Sequence, residues 1–247
     1  MSIDCTYLIP TDCDPMGQAI TDYFNNGKAK RLIVKSSMFD DDNIPVKTLF
    51  RNSEQLSPIE STALNFANGK ILDVGAGSGC HSLILQDNNK DVVAIDISAL
   101  SVEIMKKRGI KDARQINLFD PRLNEKFDTL LMLMNGSGII GKIENLPQFF
   151  TRARQLLNSE GQILLDSSDL IFLYEDEDGG ADIDIAGNYY GEVDFTMKYG
   201  KIIGKTFDWL YIDFDTLSMY AHQAGFKTEM IYQGTHYDYL ARLTIEK

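Results

Sequence analysis

The sequence predicts an α/β protein built on a mostly parallel sheet with helices on both faces. Three observations carry this expectation. Short apolar runs alternate with amphipathic segments from residue 57 onward, one run is apolar at nearly every position, and the first run opens into a glycine-rich turn. Alternating strand and helix periods imply a parallel sheet, because the crossover between parallel strands is usually a helix lying on a sheet face. A continuous apolar run suits a strand covered on both sides.

Residues 1–56 lack a long periodic pattern apart from Ala19–Phe24, and turn formers stand at Asn25-Asn26-Gly27 and Asp40–Asn43, which predicts a helical N-terminal cap. Ser57-Pro58-Ile59-Glu60 is a capping box with proline at the first helical position, and Gly69 supplies a stop. The first strand, Ile71–Val74, leads into the glycines and a helix over Cys80–Gln86. A second strand covers Asp91–Asp96. Ser98 then caps a helix carrying Leu100, Ile104 and Met105, which Gly109 ends. A weak third strand lies at Ala113–Leu118, and the fourth, Phe127–Met134, is the nearly continuous apolar run. Leu146, Phe149, Phe150, Ala153, Leu156 and Leu157 form the stripe of an amphipathic helix, and Gln162–Asp166 is the fifth strand.

Beyond the fifth strand the pattern changes. Residues 170–212 are predicted as an insertion. It holds a solvated acidic run at 175–178 and two strands, Glu192–Lys198 and Ile202–Tyr211, flanking Tyr199-Gly200-Lys201 as a hairpin arm projecting from the sheet. A helix over Thr216–Ala224 and closing strands at Glu229–Gln233 and Tyr239–Ile245 complete the chain. The division expected is a cap over residues 1–56 and one main domain over 57–247, since 247 residues with 44% hydrophobic content bury one substantial core.

Composition narrows the function. Lys and Arg number 24 against 36 Asp and Glu, and the resulting formal charge of −12 repels phosphate backbones, so no nucleic-acid partner is expected. Three cysteines with no Cys-x-x-Cys pair predict reduced thiols. With no charged-then-apolar leader and no apolar run near the ~18 residues that span a bilayer, a soluble cytoplasmic protein without membrane partners is expected. His222 and His236 are far apart and no His-x-x-x-His occurs, so no metal site is expected. Oligomeric state leaves no mark in the sequence.

The chemistry concentrates in Ile71-Leu-Asp-Val-Gly-Ala-Gly-Ser-Gly79. Glycines at 75, 77 and 79 let the backbone turn sharply and approach a ligand, at which the free N–H groups of the following helix would point. A dinucleotide fingerprint wants glycine at its sixth position, where this chain has Cys80. Asp96 ends the second strand 21 residues after Gly75, close to the ~20-residue spacing of a ribose-binding acid.

These residues together resemble the class I S-adenosylmethionine-dependent methyltransferase family, over roughly residues 57–247. The resemblance implies a Rossmann-like sheet of seven strands with the last one reversed, and S-adenosyl-L-methionine as cofactor. By position it implies that Asp73, Gly75, Ala76 and Gly77 hold the methionine part, Asp96 with Ile97 the ribose, Asn117 with Leu118 the adenine, and Met134 with Asn135 the region of the transferring methyl. Where the family often has an acid on the third strand, this chain has Asn117, whose amide oxygen accepts the same bond. Arg51 either reaches the cofactor carboxylate from the cap or lies at the surface.

The loop Asn135-Gly136-Ser137-Gly138 is neither the Asn-Pro-Pro-aromatic nor the Pro-Cys pattern. The expected reaction is methyl transfer to an oxygen or nitrogen atom of an unidentified small molecule. Tyr190, Trp209 and Tyr211 either wall an acceptor pocket or pack against neighbouring strands, and His81 is a further acceptor-side candidate. A Cys80–His81 catalytic pair is set aside, because adjacent helical residues diverge by about 100°. His81, Asp169 and Asp213 are the conceivable general bases, and the sequence selects none. Three rivals remain: aminopropyl transfer on the same fold, a non-catalytic protein that binds S-adenosylmethionine or S-adenosylhomocysteine, and a nicotinamide-dependent oxidoreductase.

Overall fold

The computed structural model describes residues 4–175, 180 and 187–246. Its body is a seven-stranded sheet. Five strands run parallel: β3 (Lys70–Val74), β4 (Asp91–Asp96), β5 (Ala113–Gln115), β6 (Phe127–Met132) and β7 (Leu157–Ser168). β11 (Phe226–Gln233) and β12 (Asp238–Ile245) complete the order β11-β12-β7-β6-β3-β4-β5, with β12 antiparallel to both neighbours. The reversed strand expected at the end of the chain is thus present.

Successive side chains of a strand point to opposite faces, and the core divides accordingly. Leu72, Val93, Leu130, Ile163 and Ala241 pack on one face under α5 (Leu146–Leu156) and α6 (Phe214–Gln223), through Phe149, Phe150, Leu217 and Ala221. Their chain neighbours Ile71, Val92, Leu131, Leu164 and Leu240 pack on the other face against α2 (Pro58–Phe66) and α3 (Cys80–Asp87). α4 (Ala99–Lys107) closes a small third cluster through Val102 and Met105 with Ala94 and Ala113. Leu130 and Leu131 are both fully buried, as the continuous apolar run of the fourth strand requires.

Two expectations about the periphery need correction. The N-terminal cap is only partly helical: after α1 (Pro15–Asn26), whose C-terminus Gly27 turns at φ 66°, come β1 (Leu32–Lys35) and β2 (Asp42–Ile44), the second in a stretch read as a turn. Nor does the hairpin project alone. Its long strand β8 (Glu192–Tyr199) pairs with β9 (Ile202–Ile203) and β10 (Phe207–Leu210) and, antiparallel, with β1 of the cap. Cap and arm therefore form one sheet, ordered β10-β8-β1-β2 with β9 on β8. The reason is non-local. A four-residue strand has no stable existence alone, and β1 finds its partner about 160 residues downstream, where no local pattern announces it. Residues 176–178 of the acidic run lie outside the described residues.

Cys5, Cys13 and Cys80 are thiols, Cys80 buried and the other two half-buried. Among the described residues no helix is long and apolar enough to cross a membrane, and no group of His, Cys, Asp and Glu is placed to hold a metal ion.

Candidate cofactor site

The site lies beyond the carboxyl ends of β3, β4 and β6, where strand order reverses between β3 and its neighbours on either side. β3 delivers Asp73, which is 2% exposed and accepts a hydrogen bond from Ser82 Oγ of α3 at 2.5 Å. Burial raises its pKa, against the pull of His81 and the Ser82 bonds. The chain then turns through three glycines with positive φ: Gly75 at 69°, Gly77 at 58° and Gly79 at 81°. They do different work. A Cβ at Gly77 would meet open space, as a ligand-facing position requires, whereas one at Gly79 would overlap Ile110 and part α3 from its neighbour. Gly79 is thus a packing glycine.

Asp96 ties this turn to the next strand. Its Oδ2 accepts from Gly77 N–H at 2.8 Å and its Oδ1 from Ser98 N–H at 2.8 Å, while Gly75 and Ala76 N–H both donate to Ile95 O at 3.0 Å. Burial pushes the Asp96 carboxyl up to about 6, with the bonds from Ser98 and Gly77 opposing. Each oxygen keeps a lone pair for a further donor. A half-buried acid with two fixed oxygens beside an open backbone turn fits an adenosine-bearing cofactor with a ribose diol.

The remaining candidates separate. Asn117 closes its own loop: its Oδ1 accepts from Phe119 N–H at 2.9 Å, and its Nδ2 donates to Tyr7 O of the cap at 3.3 Å. Leu118 belongs to the main core at 3% exposure. Arg51 spends its fork on Glu60, through Nη1 at 2.8 Å and Nη2 at 2.5 Å, while its Nε has no protein partner. His81 Nε2 lies 2.7 Å from the same Glu60 carboxylate, so this buried histidine joins the cap-side network. Burial alone would raise the Glu60 carboxyl, but the bonds from His81 and Ser57 carry it down to about 2.

Trp209 lies against Gly138, where a Cβ would overlap the indole, so it seats the arm on the loop after β6. Tyr190 donates to Asp169 Oδ1 at 2.7 Å, and Tyr211 stands edge-on to Phe195 with ring centroids 6.4 Å apart. Asp213 caps α6 by accepting from Thr216 N–H at 2.8 Å and also accepts from Tyr189 OH at 2.6 Å. The three conceivable bases are thus engaged in bonds that hold the fold.

Sequence reading missed Asp166. It lies near the carboxyl end of β7 at 7% exposure, accepts from Gly136 N–H at 2.8 Å and from Met134 N–H at 3.1 Å, and is pushed up to about 6 by burial. Met134 and Asn135, both non-glycine, sit at φ 67° and 56° around it, a strained pair of the kind found at functional sites. Arg51, Ser57, Glu60, Met134, Asn135 and Asp166 line a pocket of about 240 Å³. The one available signal was an acid at the carboxyl end of a parallel strand.

Fold and rim together define a Rossmann-like domain with an open glycine turn at the carboxyl end of β3. Comparison with known proteins makes this particular. A family model described as a methyltransferase domain matches residues 72–165. The crystal structure of a SAM-dependent methyltransferase from Bacteroides fragilis in complex with S-adenosyl-L-homocysteine is 61% identical, covering 98% of this chain and 99% of that one, with a TM-score of 0.93. This chain belongs to the S-adenosylmethionine-dependent methyltransferase family. The fold recurs in the CcbJ methyltransferase of Streptomyces caelestis at 11% identity, with a TM-score of 0.61 over 94% of this chain and 98% of that one. It recurs too in the sugar N-methyltransferase KedS8 of a Streptoalloteichus species, at 15% identity and a TM-score of 0.53 over 81% and 88%. A bifunctional methyltransferase of Rickettsia bellii is 34% identical over 89 residues, 32% of this chain; the match spans only 16% of that protein.

Proposed function

We propose that the turn from Asp73 to Gly77 and the Asp96 carboxylate hold S-adenosylmethionine, and that the chain directs its methyl group to an oxygen or nitrogen atom of a small molecule. The observation that carries the reading is Asp96, whose carboxylate is fixed with one oxygen on Gly77 of the glycine turn and the other on Ser98. The cofactor supplies an activated methyl whose thioether leaving group needs no protonation. What the protein must add is positioning and exclusion of water, and these supply much of the acceleration in such transfers.

The residues are disposed for that task. Asp96 accepts the ribose hydroxyls with its remaining lone pairs, Gly77 leaves the approach clear, and Asp166 fixes the Met134–Asn135 loop at the methyl end. Trp209 joins the cap-and-arm sheet to that loop, which favours the arm as the roof over the acceptor. The net charge of −12 argues for a small, uncharged or cationic acceptor rather than a nucleic acid.

Calorimetric titration with S-adenosylhomocysteine tests the cofactor part. Asp96→Ala should weaken binding by about 1.5–3 kcal/mol, the scale of a lost charged hydrogen bond. Unchanged affinity would remove Asp96 from the site.

A further inference from the structure

A chain of hydrogen bonds joins the N-terminal segment to the second-strand acid. Ser98 Oγ donates to Asp14 Oδ2, Ser98 N–H donates to Asp96 Oδ1 at 2.8 Å, and Gly77 N–H donates to Asp96 Oδ2 at 2.8 Å. Asp14 lies 84 residues before Ser98 and is 1% exposed. We propose that Asp14 is a positioning residue for cofactor binding, acting through Ser98 on Asp96, so that the N-terminal segment helps to build the ribose site. The inference rests on the reading of Asp96 as the ribose acid.

The cost of Asp14 is the first argument. Its Oδ1 caps α1 by accepting from Gly17 N–H at 2.7 Å, a service that an uncharged serine or threonine performs equally well. A buried carboxylate bonded to a backbone amide and a hydroxyl, with no ion pair to a cation among the described residues, is costly, and a cap alone does not require one. What the second oxygen adds is control of Ser98. That hydroxyl has one proton. Donating it to Asp14 leaves the oxygen's lone pairs for Ser101 N–H at 2.9 Å, which starts α4, and so fixes the Ser98 backbone whose N–H holds Asp96.

The packing agrees. A Cβ on Gly17 would overlap both Asp14 and Ser98 Oγ, so glycine there lets the starts of α1 and α4 meet. The same N-terminal segment touches the rim again, with Ile9 N–H donating to Ile97 O at 3.1 Å. The arrangement fixes the plane of the Asp96 carboxylate before any ligand arrives, which is how a vicinal diol is met without reorganisation.

The test is a double-mutant cycle read by calorimetry, with S-adenosylhomocysteine as the probe. Asp14→Ser keeps a cap for Gly17 but is too short to reach Ser98. It should raise Kd by about fivefold, the scale of one hydrogen bond, yet add nothing in an Asp96→Ala background. It should also leave unchanged the Kd of a 2′,3′-dideoxy analogue of S-adenosylhomocysteine, which has no ribose hydroxyls to place. Wild-type affinity in Asp14→Ser, additive losses in the cycle, or equal loss for both probes would overturn the inference and leave Asp14 a docking residue of α1. If circular dichroism shows Asp14→Ser unfolded, Asp14→Asn makes the same comparison, since with its amide oxygen on Gly17 it turns an NH2 donor toward Ser98 and no longer accepts that hydroxyl's proton. An Asp96→Ala protein that binds like wild type would instead overturn the ribose assignment, and this inference with it.

Discussion

Replacing Glu60 by glutamine should be among the most damaging isosteric changes on the cap side of the molecule. Glu60 is 3% exposed and accepts from both arms of the Arg51 fork, from Ser57 N–H at 2.9 Å and from Ser57 Oγ at 2.7 Å, with His81 Nε2 at 2.7 Å. Its folded carboxyl lies at about 2 against an ordinary 4.5. A difference of roughly 2.5 units at 1.36 kcal/mol each is about 3 kcal/mol of stability. Leaving Arg51 without its partner gives a similar figure by a separate route, about 3–5 kcal/mol for breaking a buried pair.

The sign follows from a depressed pKa. The contribution is present above pH 4.5 and is lost as pH falls through the interval from 4.5 to about 2. Denaturant unfolding of wild type and Glu60→Gln should therefore differ by about 3 kcal/mol at pH 7, equivalent to roughly 6–12 °C in Tm for a chain of this size. The gap should hold to pH 5 and narrow below 4.5. A gap under 1 kcal/mol at pH 7, or one that does not narrow in acid, would refute the account of Glu60 as an ionised hub.

Two further outcomes follow from the rim. Gly79→Ala must place a side chain at φ 81° and against Ile110, which should cost about 1–3 kcal/mol in thermal or chemical unfolding; a neutral effect would show that the α3 junction has slack. The Asp166 carboxyl, raised to about 6, favours the folded state most when protonated, so its contribution is present below the ordinary carboxylate pKa near 4 and is lost as pH rises through 6. Wild type should gain up to about 3 kcal/mol over Asp166→Asn between pH 7 and pH 4, and parallel pH profiles in guanidinium melts would remove the burial argument.

The sequence by itself determined the body of the fold and the conformation of one strand-turn-helix unit. The run Ile71–Val74, the glycines and Asp96 were legible because each depends on short-range physics: a strand period, backbone sterics at positive φ, and the fixed separation of two successive strands in a parallel unit. The capping box at Ser57, the Ser98 cap and the glycine stops that bound the helices are local for the same reason.

Tertiary structure decided what distant segments do to one another. It joined β1 to β8 across about 160 residues, making one sheet out of a cap and an arm. It turned Arg51 and His81 onto Glu60, closed the Asn117 loop on itself, and folded the Met134–Asn135 loop around Asp166. It also set Asp14 beneath Ser98. Each of these is a contact between polar groups on separate elements, and its strength comes from burial, which no spacing along the chain encodes. Apolar periodicity tells a chain which faces to bury; which donor meets which carboxylate is settled only after those faces have come together.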